Sequence, residues 1–221
     1  MILDHPERAV ARYNQLGLHY NLVADGIYRV HAGIDPFSEE YERFIIAGLL
    51  AFDMGRMMGQ GDKYAVDGCD FRSRLRAKMR AIRSAIGDLP GSSSLHQIDL
   101  AARAGAIETA YDHLAKAGKD ALNADPADRF HVGATKILHW IAPTLFIMVD
   151  TNVAKAFRAH HQADYKKSTQ PGYTAKKYVD CLRHAQDEIR AYGLDKFMRI
   201  EPATPLARLF DKVAWVAGQI G

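Results

Sequence analysis

Between Asp70 and Ile86 the apolar residues Phe71, Leu75, Met79, Ile82 and Ile86 recur at three- and four-residue steps. An α-helix turns such positions onto one face, whereas a strand needs alternation at every second residue. The same period returns near the end of the chain in Leu206, Leu209, Phe210, Val213 and Val216, with Pro205 placed to open the helix. From Ser38 onward the pattern is denser. Phe44, Ile45, Ile46, Leu49, Leu50, Phe52, Met54, Met57 and Met58 leave almost no polar side, which predicts a helix buried within the domain. Ser38 is placed to cap it, and Glu39, Glu40 and Glu42 suit the positive end of its dipole. Asp53 is a lone acid on that helix, either a hydrogen-bonded structural residue or a neighbour of a site.

Pro6 to Leu16 is a first helix, with Val10, Tyr13 and either Ala9 or Leu16 facing inward. Gly17 to Phe37, punctuated by Gly26, Gly33 and Pro36, reads mostly as loop, with a short extended piece at Ile27 to His31. Gly87 to Ser94 combines Gly, Pro and Ser as a linker would. Leu95 to Ala104 and Ala106 to Leu122 read as two helices separated by Gly105. A further helix has Pro126 in its first turn and runs through Phe130 to a turn at Gly133; the next begins near Ala134 and ends at Pro143. Leu145 to Val149 is read as a buried loop or single turn, and Ala175 to Tyr192 as a helix stopped by Gly193. The fold class is therefore all-α: one helical domain over residues 1–221, divisible into two lobes joined near residues 87–94. With 221 residues and 48% hydrophobic content, the chain can bury a substantial core.

A formal net charge of +3 permits an anionic partner without demanding one. Two basic surfaces are candidates. Arg72, Arg74, Arg76, Lys78, Arg80 and Arg83 cover the polar side of the Asp70–Ile86 helix. They would either grip phosphates, with release of counterions, or form a solvated face met by acids from elsewhere in the fold. Between Tyr165 and Tyr178, Lys166, Lys167, Lys176 and Lys177 interleave with tyrosines, which suits phosphate contact plus base stacking or a plain surface loop. The ten histidines show no metal-binding spacing; His131 and His139 are eight apart, with Gly133 between them. Cys69 and Cys181 stand far apart, and no phosphate-binding or dinucleotide-binding glycine pattern occurs. No metal and no cofactor are expected. The longest apolar runs fall short of the roughly 20 residues that span a bilayer. No secretory leader is read in Met1 to Pro6. The expectation is a soluble, cytoplasmic protein that does not enter a membrane.

Arg129 to Arg158, RFHVGATKILHWIAPTLFIMVDTNVAKAFR, reads as helix, break and helix, with Asp150 capping the second helix and Val153, Ala156 and Phe157 on its apolar side. The run Val149 to Arg158 resembles the segment that holds the catalytic aspartate in helix-hairpin-helix DNA glycosylases. Gly133, Thr135 and Lys136 stand where that family has its hairpin, although Phe130 and His131 replace the usual Pro and Gly, and Asn152 replaces a His. The resemblance implies two helical lobes with a cleft between them, DNA as partner, and Asp150 stabilising the sugar cation as a flipped, damaged base leaves. It implies phosphate contacts at Gly133 and Thr135, and Trp140, Phe146 or Tyr178 as an aromatic wall. Lyase-competent members keep their lysine two residues after the glycine. Here Thr135 holds that place and Lys136 follows, so a monofunctional hydrolase is expected, with Lys136 the second catalytic candidate. No four-cysteine cluster exists for the iron–sulfur site of some members. The competing reading is a non-catalytic helical module, binding DNA or protein, on the same scaffold.

Overall fold

The computed structural model describes residues 1–16, 19–31, 33–51, 71–117, 130–161 and 174–220. Among them the secondary structure is wholly helical: α1 (Pro6–Gln15), α2 (His19–His31), α3 (Glu39–Ala51), α4 (Phe71–Ile86), α5 (Leu100–Ala115), α6 (His131–Ile141), α7 (Thr151–His160), α8 (Ala175–Tyr192), α9 (Leu194–Met198) and α10 (Leu206–Ile220). No helix among the described residues is long and apolar enough to cross a membrane.

Local chemistry accounts for most boundaries. Pro6 opens α1, whose Val10 and Tyr13 are buried. The Ser38 hydroxyl accepts the Tyr41 N–H at 3.1 Å and caps α3. The Thr174 hydroxyl caps α8, and Gly193, at φ 96°, supplies the left-handed turn between α8 and α9. Leu75, Met79, Ile82 and Ile86 of α4 are buried as their spacing predicts.

Four sequence expectations are corrected. Residues 19–31 form α2 rather than loop and extended piece: Ala24 and Ile27 are buried one turn apart, which outweighs the cost of Gly26 in a helix. Gly105 does not break a helix. α5 starts only at Leu100, capped by Asp99, and runs unbroken through Gly105, which lies on its exposed side. Over its described length α3 buries one stripe, Tyr41, Glu42, Ile45, Gly48 and Leu49, while Leu50 is 43% exposed; Phe52, Met54, Met57 and Met58 of the expected run lie outside the described residues. There is also no turn at Gly133, which sits in the first turn of α6. Asp53 and Cys69 lie outside the described residues.

Residues 87–94 form a tight turn tied to the segment after α6 by the Leu95 N–H on the Thr144 carbonyl (3.0 Å) and the Thr144 hydroxyl on the Ser93 carbonyl (3.0 Å). The turn joins α4 and α5, which pack against each other; α5 also packs on α6 and α8. α10 packs along α7 and α1. The approach of α10 to α7 is close enough that a Cβ on Gly218 would stand 1.8 Å from the Asn152 carbonyl oxygen.

Candidate active site

Asp150 lies between α6 and α7. Its backbone is extended, and its Oδ1 accepts the N–H groups of Asn152 (2.9 Å) and Val153 (3.0 Å), a helix cap that orients the carboxylate. The residue is half-buried.

The segment leading into it, Leu145 to Val149, is buried and belongs to no helix. Buried backbone polar groups require partners, and side chains from three helices supply them. His139 Nδ1 lies 2.5 Å from the Phe146 carbonyl. The Tyr178 hydroxyl donates to the Ile147 carbonyl at 3.0 Å. The Met148 N–H donates to Asp211 Oδ1 at 3.0 Å, and the Val149 N–H to the Thr135 hydroxyl at 3.0 Å. Four consecutive residues are thus fixed by α6, α8 and α10 immediately before Asp150.

The clamp residues are themselves held. A carbonyl can only accept, so His139 carries its proton on Nδ1, and Nε2 accepts the Tyr28 hydroxyl at 2.7 Å. Burial pushes the Tyr28 and Tyr178 phenols well above their ordinary range, so both remain donors. The Tyr178 ring stacks on Tyr111, with centroids 5.3 Å apart, and lies tilted against Phe146 at 6.5 Å. Asp211 is 2% exposed. Burial pushes its carboxyl well above the usual carboxylate range, against the pull of the Arg208 guanidinium. Its Oδ2 is buried without a hydrogen-bond partner, 3.6 Å from His139 Nδ1. Arg208, also buried, donates to the Tyr13 hydroxyl at 2.9 Å.

Lys136 projects from α6 into this buried region, 4% exposed. Burial pushes its ammonium down to about 8; the nearby Asp150 carboxylate opposes that shift and Arg208 deepens it. The structure therefore brings Lys136 and Asp150 within electrostatic reach of each other.

The other candidates are placed differently. Gly133 is buried against the Phe130 ring, where a Cβ would stand 2.0 Å from the ring edge, and Thr135 is fully buried in the clamp. Trp140, Phe146 and Tyr178 are core residues. Tyr178 belongs to α8 rather than to a surface loop, because its ring fills the space between Tyr111 and Phe146. His131 and His139 sit on one unbroken helix but bond separately, His131 to the Tyr111 hydroxyl (2.8 Å) and His139 as above. Among the described residues no group of His, Cys, Asp and Glu is arranged to hold a metal ion. On α4, Arg72 and Arg76 converge on the buried Glu42 at 2.6 and 3.0 Å and on Glu39 at 3.1 and 2.7 Å, and Arg83 pairs with Asp35 at 2.9 Å. Arg80 is exposed. Lys166 and Lys167 lie outside the described residues.

Sequence reasoning named Asp150, Lys136 and Thr135 but missed Asp211, Tyr28 and the clamping roles of His139 and Tyr178. The one local signal was an acid inside the apolar stripe of α10, Phe210-Asp211-Lys212-Val213.

Comparison of the chain with protein-family models, with curated proteins and with solved structures finds no match.

Proposed function

We propose that this chain is a DNA-binding hydrolase of the helix-hairpin-helix glycosylase type, which releases a flipped, damaged base by N-glycosidic cleavage at Asp150. The observation that carries the reading is the clamp on Phe146 to Val149, which delivers the Asp150 carboxylate at a fixed helix N-terminus beside the buried Lys136. Buried polar groups are costly unless satisfied, and here several are gathered behind a single carboxylate. That investment is unusual for a simple helix cap.

In the reaction the bond between C1′ and the base nitrogen breaks with its electron pair going to the base. The positive charge left on the sugar meets the Asp150 carboxylate. Both cap hydrogen bonds fall on Oδ1, so Oδ2 is the oxygen assigned to the cation and to the incoming water. Water adds at C1′, and the proton it releases balances the charge on the departed base.

The turn at 87–94 joins α4 and α5, which pack on each other, and one core runs through α1 and α4 to α8 and α10, so the reading rests on the Asp150 site and not on a division into lobes at that turn. DNA would approach the exposed basic residues, Arg80 among them.

The test is base release from duplexes carrying a broad panel of lesions. Asp150→Asn keeps the cap, since Asn also caps well, but removes the charge. Release should fall by about two orders of magnitude or more, with duplex binding and melting temperature retained. A parent protein that binds duplex yet releases no base from any lesion would replace this reading with the non-catalytic module.

A further inference from the structure

A second site lies away from Asp150. The N-terminal residues, α1, the end of α7 and α10 enclose an open groove of about 640 Å³. Its floor is apolar: Ile2, Ala9, Val213, Val216 and Ala217. Its rim is basic, with Arg8 and Arg12 one turn apart on α1 and His160 at the end of α7 facing the same space. The one acid of the rim, Asp4, is paired with the Met1 amino group at 3.2 Å. The one acid of α1, Glu7, is engaged by the Tyr192 hydroxyl at 2.6 Å. Arg8 and Arg12 are both exposed.

We propose that this groove binds a small anionic amphiphile, with its hydrocarbon body on the Val213–Ala217 floor and its carboxylate-type head between Arg8 and Arg12. The volume falls within the roughly 300–1,000 Å³ of small-molecule pockets. Ligand pockets pair an apolar lining with a few polar groups that fix orientation; here the two guanidinium groups of Arg8 and Arg12 supply them, and the one carboxylate of the rim, Asp4, is already paired. Planar guanidinium groups match the two oxygens of a carboxylate. None of the residues involved belongs to the Asp150 clamp, so the site stands independently of the proposed glycosylase chemistry.

The experiment titrates sodium octanoate, below its micellar concentration, into the full chain and follows amide shifts, with octyltrimethylammonium and acetate as comparison probes. Octanoate should shift Ala9, Ala159 and Ala217 saturably; octyltrimethylammonium and acetate should not. Arg8→Gln with Arg12→Gln changes only exposed positions and should weaken octanoate binding by about five- to tenfold. Ala9→Phe should block the groove while leaving the dispersed spectrum of a folded chain. Equal binding of octanoate and octyltrimethylammonium, or octanoate binding unchanged by both variants, would overturn the proposal, as would no binding at all. A parent that sediments as a dimer and becomes monomeric with Ala9→Phe would assign the groove to a second copy and overturn it too.

Discussion

Asp211 accepts the backbone N–H of Met148 at 3.0 Å, across 63 residues of chain and two residues ahead of Asp150. A side chain of the C-terminal helix thereby sets the path of the backbone that presents the candidate catalytic carboxylate. The arrangement carries a cost, because Asp211 Oδ2 is buried without a hydrogen bond. Costs of this kind concentrate at functional sites, where local rules are broken for geometry.

The Met148 amide should accordingly be strongly protected from hydrogen exchange. Asp211→Leu removes the acceptor and should accelerate exchange at Met148 and Val149 far more than elsewhere, whereas Asp211→Asn keeps an acceptor and should preserve protection. The pH dependence has a definite sign. Burial raises this carboxyl in the folded state, so above the unfolded value of about 4 the folded chain retains a proton that the unfolded chain releases. Stability contributed by Asp211 is full below that value and declines as pH rises toward the folded one. Asp211→Asn, having no proton to lose, should flatten that decline. Uniform exchange across all three proteins would remove Asp211 from the positioning role.

Gly218 is expected to be intolerant. A Cβ there would lie 1.8 Å from the Asn152 carbonyl oxygen and 2.6 Å from its carbon, both backbone atoms of the first turn of α7. Gly218→Ala must push α10 from α7, at a cost of about 3 kcal/mol, the upper end for overpacking a core, despite the helix propensity that Ala gains. Because α7 carries Asp150 at its start, the shift should also appear in the Asp150 and Asn152 amide resonances. A melting temperature equal to that of the parent would show that the two helices have slack.

The basic face of α4 should divide by function. Arg76 is tied to Glu42 and Glu39, so Arg76→Glu places like charges together and should lower the melting temperature as well as any DNA affinity. Arg80 is exposed, so Arg80→Glu should leave melting unchanged and reduce only duplex binding, with a shallower salt dependence by about one unit of slope. Duplex affinity indifferent to both Arg80→Glu and salt would take α4 out of the interface.

What was legible in the sequence was what short-range chemistry determines. Asp150 reads as a cap because the donors it serves are two and three residues away. Ala175 to Tyr192 reads as a helix because a stop signal, Gly193, follows directly. Helix α2 was obscured because its apolar residues are interleaved with Asp25, Gly26 and Arg29, and only packing against α3 and α6 decides its state. The α4 face stayed open between phosphate contact and acids from elsewhere in the fold for a similar reason: the carboxylates of Glu39 and Glu42, which meet Arg72 and Arg76, arrive from about 30 residues upstream. In the clamp, Tyr178 and Asp211 meet Ile147 and Met148 over separations of 31 and 63 residues, which no motif or period encodes. The carboxylate was visible from its cap, whereas its support was not.

Lys136 offers the sharpest test, because burial and function pull in opposite directions. Its ammonium ordinarily titrates at 10.5 and is pushed down to about 8 in the folded chain. Between those values the unfolded chain holds more protons than the folded one, so stability rises with pH across that window. Below pH 8 the folded state bears the full cost of a buried ammonium, about 3 kcal/mol for a gap of this size; above 10.5 the cost is absent. Lys136→Met keeps the volume and removes the charge. At pH 7 it should be more stable than the parent, by up to that amount, and the advantage should shrink toward zero as pH approaches 10.5. If Lys136 serves the chemistry at Asp150, the same variant should lose base release while gaining stability, the trade expected of a strained functional residue. Its burial argues against direct attack on C1′, so borohydride should trap no covalent adduct with DNA in the parent. A Met variant less stable than the parent at pH 7, or equally advantaged at every pH, would contradict the buried ammonium. A Met variant that is more stable and fully active would leave Asp150 to act without it.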